Sequence, residues 1–207
     1  MIDSGIYRPA RVPNNTIDIA NIIASWEDSS LDFAGRHMVK ETGRGEAGNI
    51  TWRRSTTVPS APTLPAWYPR FADYLEEGIR DLCLFFVQDL SLITYTSCQG
   101  HFHPGADNRL SHRHVGLLPR SEKEYEKIHD FFLRSIRRLQ LEVPMVGVAV
   151  GIIRHKLSDP TISRAVLDLE FYRPLDATVE QYLYDLENAT KQYLRTARET
   201  AWEVQMT

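Results

Sequence analysis

The sequence predicts an α+β protein in which an antiparallel sheet carries helices on one face. Apolar residues recur at helical spacing in three long segments. Short segments rich in β-branched and aromatic residues lie between them and are typical of strands. The resulting order is helix, strand, strand, helix, strand, strand, helix, for which we predict a variant of the ferredoxin-like topology.

Each of the three predicted helices presents an apolar stripe. The first covers residues 70–89 and the third covers residues 177–202. The second begins at Ser121, because Ser121 and Glu124 match a capping box, in which a hydroxyl and a carboxylate satisfy backbone amides reciprocally. Its apolar stripe runs to Leu139. The predicted strands are residues 91–96, 112–118, 145–153 and 165–171.

The first 66 residues differ from the rest of the chain. They contain five prolines and a glycine-rich stretch at residues 42–48, with one short helical candidate at 17–26 and one candidate edge strand at 49–58. We therefore expect residues 1–66 to form an irregular N-terminal arm and residues 67–207 to form an α+β core domain. The arm either wraps over the core or docks on a protein partner, and the sequence leaves both open.

Composition limits the class of protein. No apolar run approaches the 18 residues of a membrane span, and the N-terminus lacks the pattern of a secretory signal, so we expect no membrane partner. The two cysteines, Cys83 and Cys98, cannot build a disulfide scaffold and fit the reducing cytoplasm. A net charge of -3 argues against binding to nucleic acid through bulk charge alone.

Four of the seven histidines fall between residues 101 and 114, at His101, His103, His112 and His114. A hairpin with a symmetric register would place His103 opposite His112 and His101 opposite His114. All four imidazoles would then share one face, close enough to bind one metal ion. We predict that these histidines form a functional site that either binds a metal, with zinc or iron as the candidates, or binds an anionic substrate and performs acid-base work.

Cys98 lies close to this cluster but has the opposite strand parity to His101. Gly100 can remove this difference by allowing a bulge or a positive backbone dihedral. A thiolate beside imidazoles acts either as a metal ligand or as a nucleophile. The candidate catalytic residues are therefore Cys98, His101 and His114.

Residues 75–82, followed by residues 94–101 with the sequence Thr-Tyr-Thr-Ser-Cys-Gln-Gly-His, resemble the tRNA wybutosine-synthesis methyltransferase family. In that family, a helix with an acidic start leads into a strand that ends in Ser-Cys-x-Gly-Arg. Small uncharacterised bacterial and phage proteins with a Ser-Cys-x-Gly-His loop are similar. The resemblance covers residues 71–118.

Three residues match the family loop, namely Ser97, Cys98 and Gly100, and either His112 or His114 matches a histidine on the next strand. His101 stands where the family has an arginine, and Gln99 stands where it has a serine. The resemblance implies an enzyme that uses S-adenosylmethionine and acts on a nucleoside or RNA.

Two functions remain open from the sequence. The first is an enzyme, metal-dependent in one version, that acts on a polar anionic substrate such as a nucleotide, nucleoside or RNA. Its predicted substrate-binding residues are Ser97, Gly100, Arg109 and Arg113, since arginine presents a planar fork of donors to anions. A strip of basic residues on the second and third helices is either a solvated face or an RNA surface. The second function is a non-catalytic accessory subunit that docks on a larger complex through residues 1–66.

Overall fold

The computed structural model describes residues 19–27, 71–105, 109–143, 146–158 and 162–204. The helices are α1 (Ile19–Glu27), α2 (Glu77–Leu84), α3 (Glu122–Glu142) and α4 (Val179–Glu203). The strands are β1 (Thr94–Cys98), β2 (His101–His103), β3 (Arg109–Ser111), β4 (Arg113–Leu117), β5 (Ala149–Ser158) and β6 (Ser163–Tyr172). The predicted edge strand at residues 49–58 lies outside the described residues.

The main sheet of the described residues has four strands in the order β1-β4-β6-β5, and every neighbouring pair is antiparallel. β2 and β3 form a separate two-stranded ladder. From β4 onward the chain runs strand, helix, strand, strand, helix, which is the order of the ferredoxin-like fold. In that fold a last strand pairs with the first one, and here β1 occupies this position beside β4. The predicted α+β class with an antiparallel sheet is therefore confirmed.

The helices share one face of this sheet. α4 contacts both α2 and α3, and all three contact strands of the sheet. On β6, the alternate residues Leu167, Leu169 and Phe171 are fully buried, and the Phe171 ring meets Tyr193 of α4 edge-on at 5.7 Å between centroids. Residues between them, such as Asp168 and Glu170, therefore belong to the opposite face. None of the helices that the structure describes is both long and apolar enough to cross a membrane.

The first predicted helix, over residues 70–89, is divided into three pieces. A 3-10 turn (Phe71–Tyr74) comes first, α2 follows, and a π-helical turn (Phe85–Asp89) ends the segment. Glu76 interrupts the helix because its backbone is extended, with φ -61° and ψ 139°. The π-helical turn keeps Phe85, Phe86 and Val87 buried together. The apolar spacing predicted the buried face correctly but not the break at Glu76.

The N-termini of α3 and α4 are capped by side chains. Ser121 accepts a hydrogen bond from the backbone amide of Glu124, as predicted, but the Glu124 carboxylate accepts from the amide of Arg120. Thr178 and Gln181 form a complete capping box at α4. This second box places the start of α4 at Val179, two residues after the predicted start.

α1 packs on the core domain although it belongs to the N-terminal 66 residues. Ile19 is fully buried and Trp26 is 8% exposed. The Trp26 ring meets Phe71 edge-on, and Glu27 pairs with Arg120 just before α3. The helical candidate at residues 17–26 is thus present from Ile19 onward, and its residues Ile19, Ile23 and Trp26 pack in or against the hydrophobic core.

Candidate metal centre

The site begins at the turn between β1 and β2. Gly100 has a φ of +88°, a left-handed conformation that strongly favours glycine. A Cβ atom there would also lie 3.3 Å from the backbone nitrogen of Arg113 and 3.3 Å from Leu186 Cδ2. The predicted positive dihedral at Gly100 is therefore present, and it lets Cys98 and His101 approach each other despite their opposite parity.

Three ligand-bearing side chains converge at this turn. One ligand atom each from Glu76, Cys98 and His101 lies within 4.8 Å of the other two. Cys98 ends β1, His101 begins β2, and Glu76 occupies the N-cap position of α2. The sequence analysis missed Glu76, since nothing in its spacing connects it to residues 98–101. The acidic start of the helix in the family resemblance was the one available signal.

Both carboxylate oxygens of Glu76 are engaged. Oε1 lies 2.9 Å from Nε2 of His101, and Oε2 accepts the backbone N–H of Gln99 at 2.6 Å. The Glu76 side chain is 5% exposed and that of His101 is 19% exposed. A carboxylate buried to this degree requires a cation or several donors, and the turn supplies donors from both backbone and side chain.

The sulfur of Cys98 accepts the backbone N–H of Gly100 at 3.4 Å, and Cys98 is 5% exposed. An N–H donor aimed at sulfur stabilises the thiolate, which is the form that binds metals or attacks substrates. Cys83 is different, because burial raises the pKa of its thiol to about 12. Of the two cysteines, Cys98 is therefore the candidate metal ligand or nucleophile.

Behind the turn, Arg113 is buried, with 6% of its surface exposed. Its Nε donates to the carbonyl oxygen of Gln99 at 2.7 Å, and its Nη1 donates to Thr190 Oγ1 at 2.7 Å and to Glu187 at 3.3 Å. Burial lowers the pKa of Arg113, while Glu187 opposes that shift through its charge and its hydrogen bond. Arg113 thus faces the protein interior rather than an exposed substrate surface.

The predicted symmetric register of the histidine hairpin is wrong. His101 pairs with Ser111 and His103 pairs with Arg109, whereas Cys98 pairs with His114. Both ladders share one register, displaced by three residues from the symmetric one, and the pairing between them is interrupted at residues 99–100. The side chains of His103 and Arg109 lie outside the described residues.

His112 and His114 have other partners. Nδ1 of His112 lies 3.0 Å from Glu170 Oε1. His114 places Nε2 3.4 Å from Thr96 Oγ1 and Nδ1 3.2 Å from the His112 carbonyl oxygen. Among the described side chains, the group able to hold a metal includes His101 but not these two. Of the other predicted binding residues, Ser97 is buried and hydrogen-bonds to Cys83.

A second polar cluster, which the sequence analysis missed, lies on the sheet face opposite the helices. The Tyr95 hydroxyl donates to Asp168 Oδ1 and lies 2.7 Å from His155 Nε2, which is 3.0 Å from Asp168 Oδ2. Burial, reinforced by the Asp168 carboxylate, raises the pKa of Tyr95. Because each group has a partner within the cluster, it satisfies buried polar atoms in the sheet.

The basic strip on α3 and α4 is interleaved with acidic residues. Arg134 pairs with Asp130, and Lys191 pairs with Glu187. Arg138 pairs with three glutamates, and Arg195 pairs with one of the same three; these acidic partners are Glu142, Glu199 and Glu203. Alternating charge of this kind favours the solvated-face interpretation over an RNA surface.

Comparison with known proteins finds no matching family model, no similar curated protein and no similar solved structure. The resemblance of the Ser-Cys-x-Gly-His loop to the wybutosine-synthesis methyltransferases therefore stays a prediction. What the structure adds is the geometry of that loop and its partner Glu76.

Proposed function

We propose that the protein is a metal-dependent enzyme whose centre consists of Glu76, Cys98 and His101. The observation that supports this function is the convergence of a carboxylate, a thiol and an imidazole within 4.8 Å in a largely buried position. Of the four histidines predicted as metal ligands, the proposed centre keeps His101, and it adds Glu76 and Cys98. The metal class stays as predicted, zinc or iron, since both accept sulfur and nitrogen ligands.

The geometry and the charge of the site both support a divalent metal. Zinc–ligand bonds are about 2.0–2.3 Å long, so ligand atoms around zinc lie roughly 3–4 Å apart. Movements on the order of 1 Å therefore bring Glu76, Cys98 and His101 to coordination distance. The carboxylate and the thiolate together balance the charge of a divalent cation, which removes the cost of burying two anions.

The described residues supply three protein ligands, and a set of three favours a catalytic over a structural centre. Structural zinc sites are closed by four protein ligands, whereas catalytic sites keep one position for water or substrate. A metal in such a site activates water at neutral pH, so hydrolysis is the reaction class that we propose. The positive charge of the metal, together with the family resemblance, favours a polar anionic substrate such as a nucleotide.

The test is the metal content of protein purified without a histidine tag and reconstituted with zinc or iron(II). We expect about one metal ion per chain and its loss in Glu76→Gln and Cys98→Ala. Glu170→Gln is the matched control for the carboxylate, because Glu170 also contacts a histidine. Cys83→Ala is the control for the thiol, since Cys83 is a buried cysteine outside the cluster. Both controls should retain the metal.

Wild-type protein that binds neither metal, or variants Glu76→Gln and Cys98→Ala that both retain it, would contradict the proposal. In that case Cys98 acts as a nucleophile or has a structural role. Binding of nucleotides and of S-adenosylmethionine, measured by calorimetry on the same wild-type protein, then separates an enzyme from an accessory subunit.

A further inference from the structure

Arg113 connects the candidate metal centre to the longest helix of the described fold. Its side chain donates to the Gln99 carbonyl in the turn that carries Cys98 and His101. On its other side it donates to Thr190 and Glu187 of α4. The guanidinium therefore bridges the ligand turn and α4.

The surrounding residues fix this bridge from several directions. Thr190 Oγ1 donates in turn to the Leu186 carbonyl within α4, and the Tyr182 hydroxyl accepts the backbone N–H of Arg113 at 3.1 Å. Gly78 leaves room for the guanidinium, because a Cβ there would lie 2.6 Å from Arg113 Nη2. The Gly78 amide donates to the side-chain oxygen of Gln99, so α2 holds the same turn from the opposite side.

The peptide that Arg113 holds is central to the site. Gln99 donates its backbone N–H to Glu76, and the next amide, that of Gly100, donates to the Cys98 sulfur. The Gln99–Gly100 peptide carries the Gln99 carbonyl and the Gly100 N–H, so its rotation would break the bonds to Arg113 and to the Cys98 sulfur. The Gln99 N–H that donates to Glu76 belongs to the preceding peptide. The carbonyl of this same Gln99 residue is the atom that accepts from Arg113 Nε at 2.7 Å.

We infer that Arg113 is a positioning residue that anchors the Gln99–Gly100 turn to α4 and so preorganises Glu76, Cys98 and His101 for metal binding. The inference rests on the proposed function for its metal readout. Groups that orient metal ligands from outside the coordination sphere typically change metal affinity by about 10- to 100-fold when removed. Arginine suits this role because its planar fork holds several donors in fixed directions, whereas the three donors of lysine share one nitrogen on a flexible stem.

The test uses cobalt(II) as a spectroscopic probe on full-length protein with the variants Arg113→Met and Arg113→Lys. Cobalt affinity is measured by competition with a chelator, and sulfur ligation is read from the sulfur-to-cobalt absorption band. We expect about 10- to 100-fold weaker binding in Arg113→Met, with a weaker sulfur band. Arg113→Lys should be intermediate, because it keeps the charge but loses the fork. Arg120→Met is the control, since Arg120 pairs with Glu27 and Glu124 away from the centre.

A purely structural role for Arg113 gives a different result. In that case Arg113→Met would lower the melting temperature, but the folded variant would have the cobalt affinity and the sulfur band of the wild type. This combination would overturn the inference. Should Arg113→Met fail to fold, Arg113→Lys decides in its place by the same two readouts.

Hydrogen exchange at the Gln99 and Gly100 amides provides a readout that needs no metal. We expect faster exchange at these two amides in Arg113→Lys, with exchange in β6 unchanged. If wild-type protein binds no cobalt, the proposed function fails, but hydrogen exchange still tests whether Arg113 anchors the turn. Unchanged exchange at both amides would overturn the anchoring role of Arg113.

Discussion

At the scale of single residues, Gly100 decides whether the site exists. Its positive φ is the reason that a cysteine and a histidine of opposite strand parity meet. Gln99 donates its backbone N–H to Glu76 and accepts from the Arg113 side chain at its carbonyl, so the arrangement of the turn depends on the two peptides that flank Gln99. Gly105 offers a comparison, because nothing lies within 4 Å of a Cβ atom built there.

Gly100→Ala should therefore be destabilising and should also lose the metal. Holding alanine in the left-handed region costs about 1–3 kcal/mol, and the added methyl group would press on the backbone nitrogen of Arg113 at 3.3 Å. Urea unfolding and metal content measure the two effects, with Gly105→Ala as the control. Equal stability and equal metal content in the two variants would contradict this role of Gly100.

Buried thiol and phenol groups, which lose a proton at high pH, predict how the free energy of unfolding depends on pH. Burial raises the pKa of Cys83 and of Tyr182 to about 12, and it raises the pKa values of Tyr95 and Tyr193 as well. Folding therefore favours the neutral forms. Their contribution is complete below the ordinary pKa values of 9.0 for the thiol and 10.0 for the phenols, and it is lost as the pH rises through the folded values.

We accordingly expect the free energy of unfolding to fall steadily above about pH 9. Urea unfolding between pH 7 and pH 11 measures this slope. Cys83→Ala removes the group with the lowest ordinary pKa, so the decline should begin closer to pH 10 in that variant. A wild-type protein equally stable at pH 8 and pH 11 would disagree with the burial of these groups.

At the scale of elements, helical periodicity was a reliable guide wherever packing agreed with local preference. α3 and α4 begin within two residues of their predicted positions, because capping residues and apolar stripes act along the same stretch of chain. The first helix differs, since Glu76 leaves helical geometry. Its carboxylate bonds to Gln99 and His101, which are distant in sequence and therefore invisible to a local pattern.

The histidine hairpin shows the opposite situation, in which local parity gave the wrong register. Strand alternation treats residues 98–114 as one hairpin, but the chain divides them between the main sheet and a two-stranded ladder. Both parts share one register, displaced by three residues from the symmetric one, so Cys98 pairs with His114 and His101 pairs with Ser111. The turn at Gly100 was foreseen as a means of bringing Cys98 to His101, whereas the displaced register, which sets the partners of the other histidines, was not.

At the scale of the whole molecule, α1 joins the N-terminal region to the core. Ile19 and Trp26 are buried in the same hydrophobic cluster as the sheet and the long helices. Because removing a large buried side chain typically costs about 2–5 kcal/mol, the core depends on this contact.

Deletion of residues 1–66 should therefore lower the stability of the remaining chain. Thermal and urea unfolding of the deletion variant measure the loss. The double variant Ile19→Ala/Trp26→Ala in the full chain should reproduce a large part of it, which separates lost packing from lost length. If the deletion variant unfolds at the same temperature as the full chain, α1 contributes nothing to the core.

Local sequence patterns were enough to predict the α+β class and the long helices, and they placed the candidate site around Cys98 and His101. These features follow from short-range periodicity, capping and the presence of Gly100, all of which act within a few residues. The packing of distant segments brings Glu76 to Cys98 and His101, and among the described side chains these three form the group able to hold a metal. Arg113 was predicted to bind substrate, but it is buried and bridges the Gln99 turn and α4. Both outcomes depend on which distant segments pack together, and packing is set by the whole core rather than by local spacing.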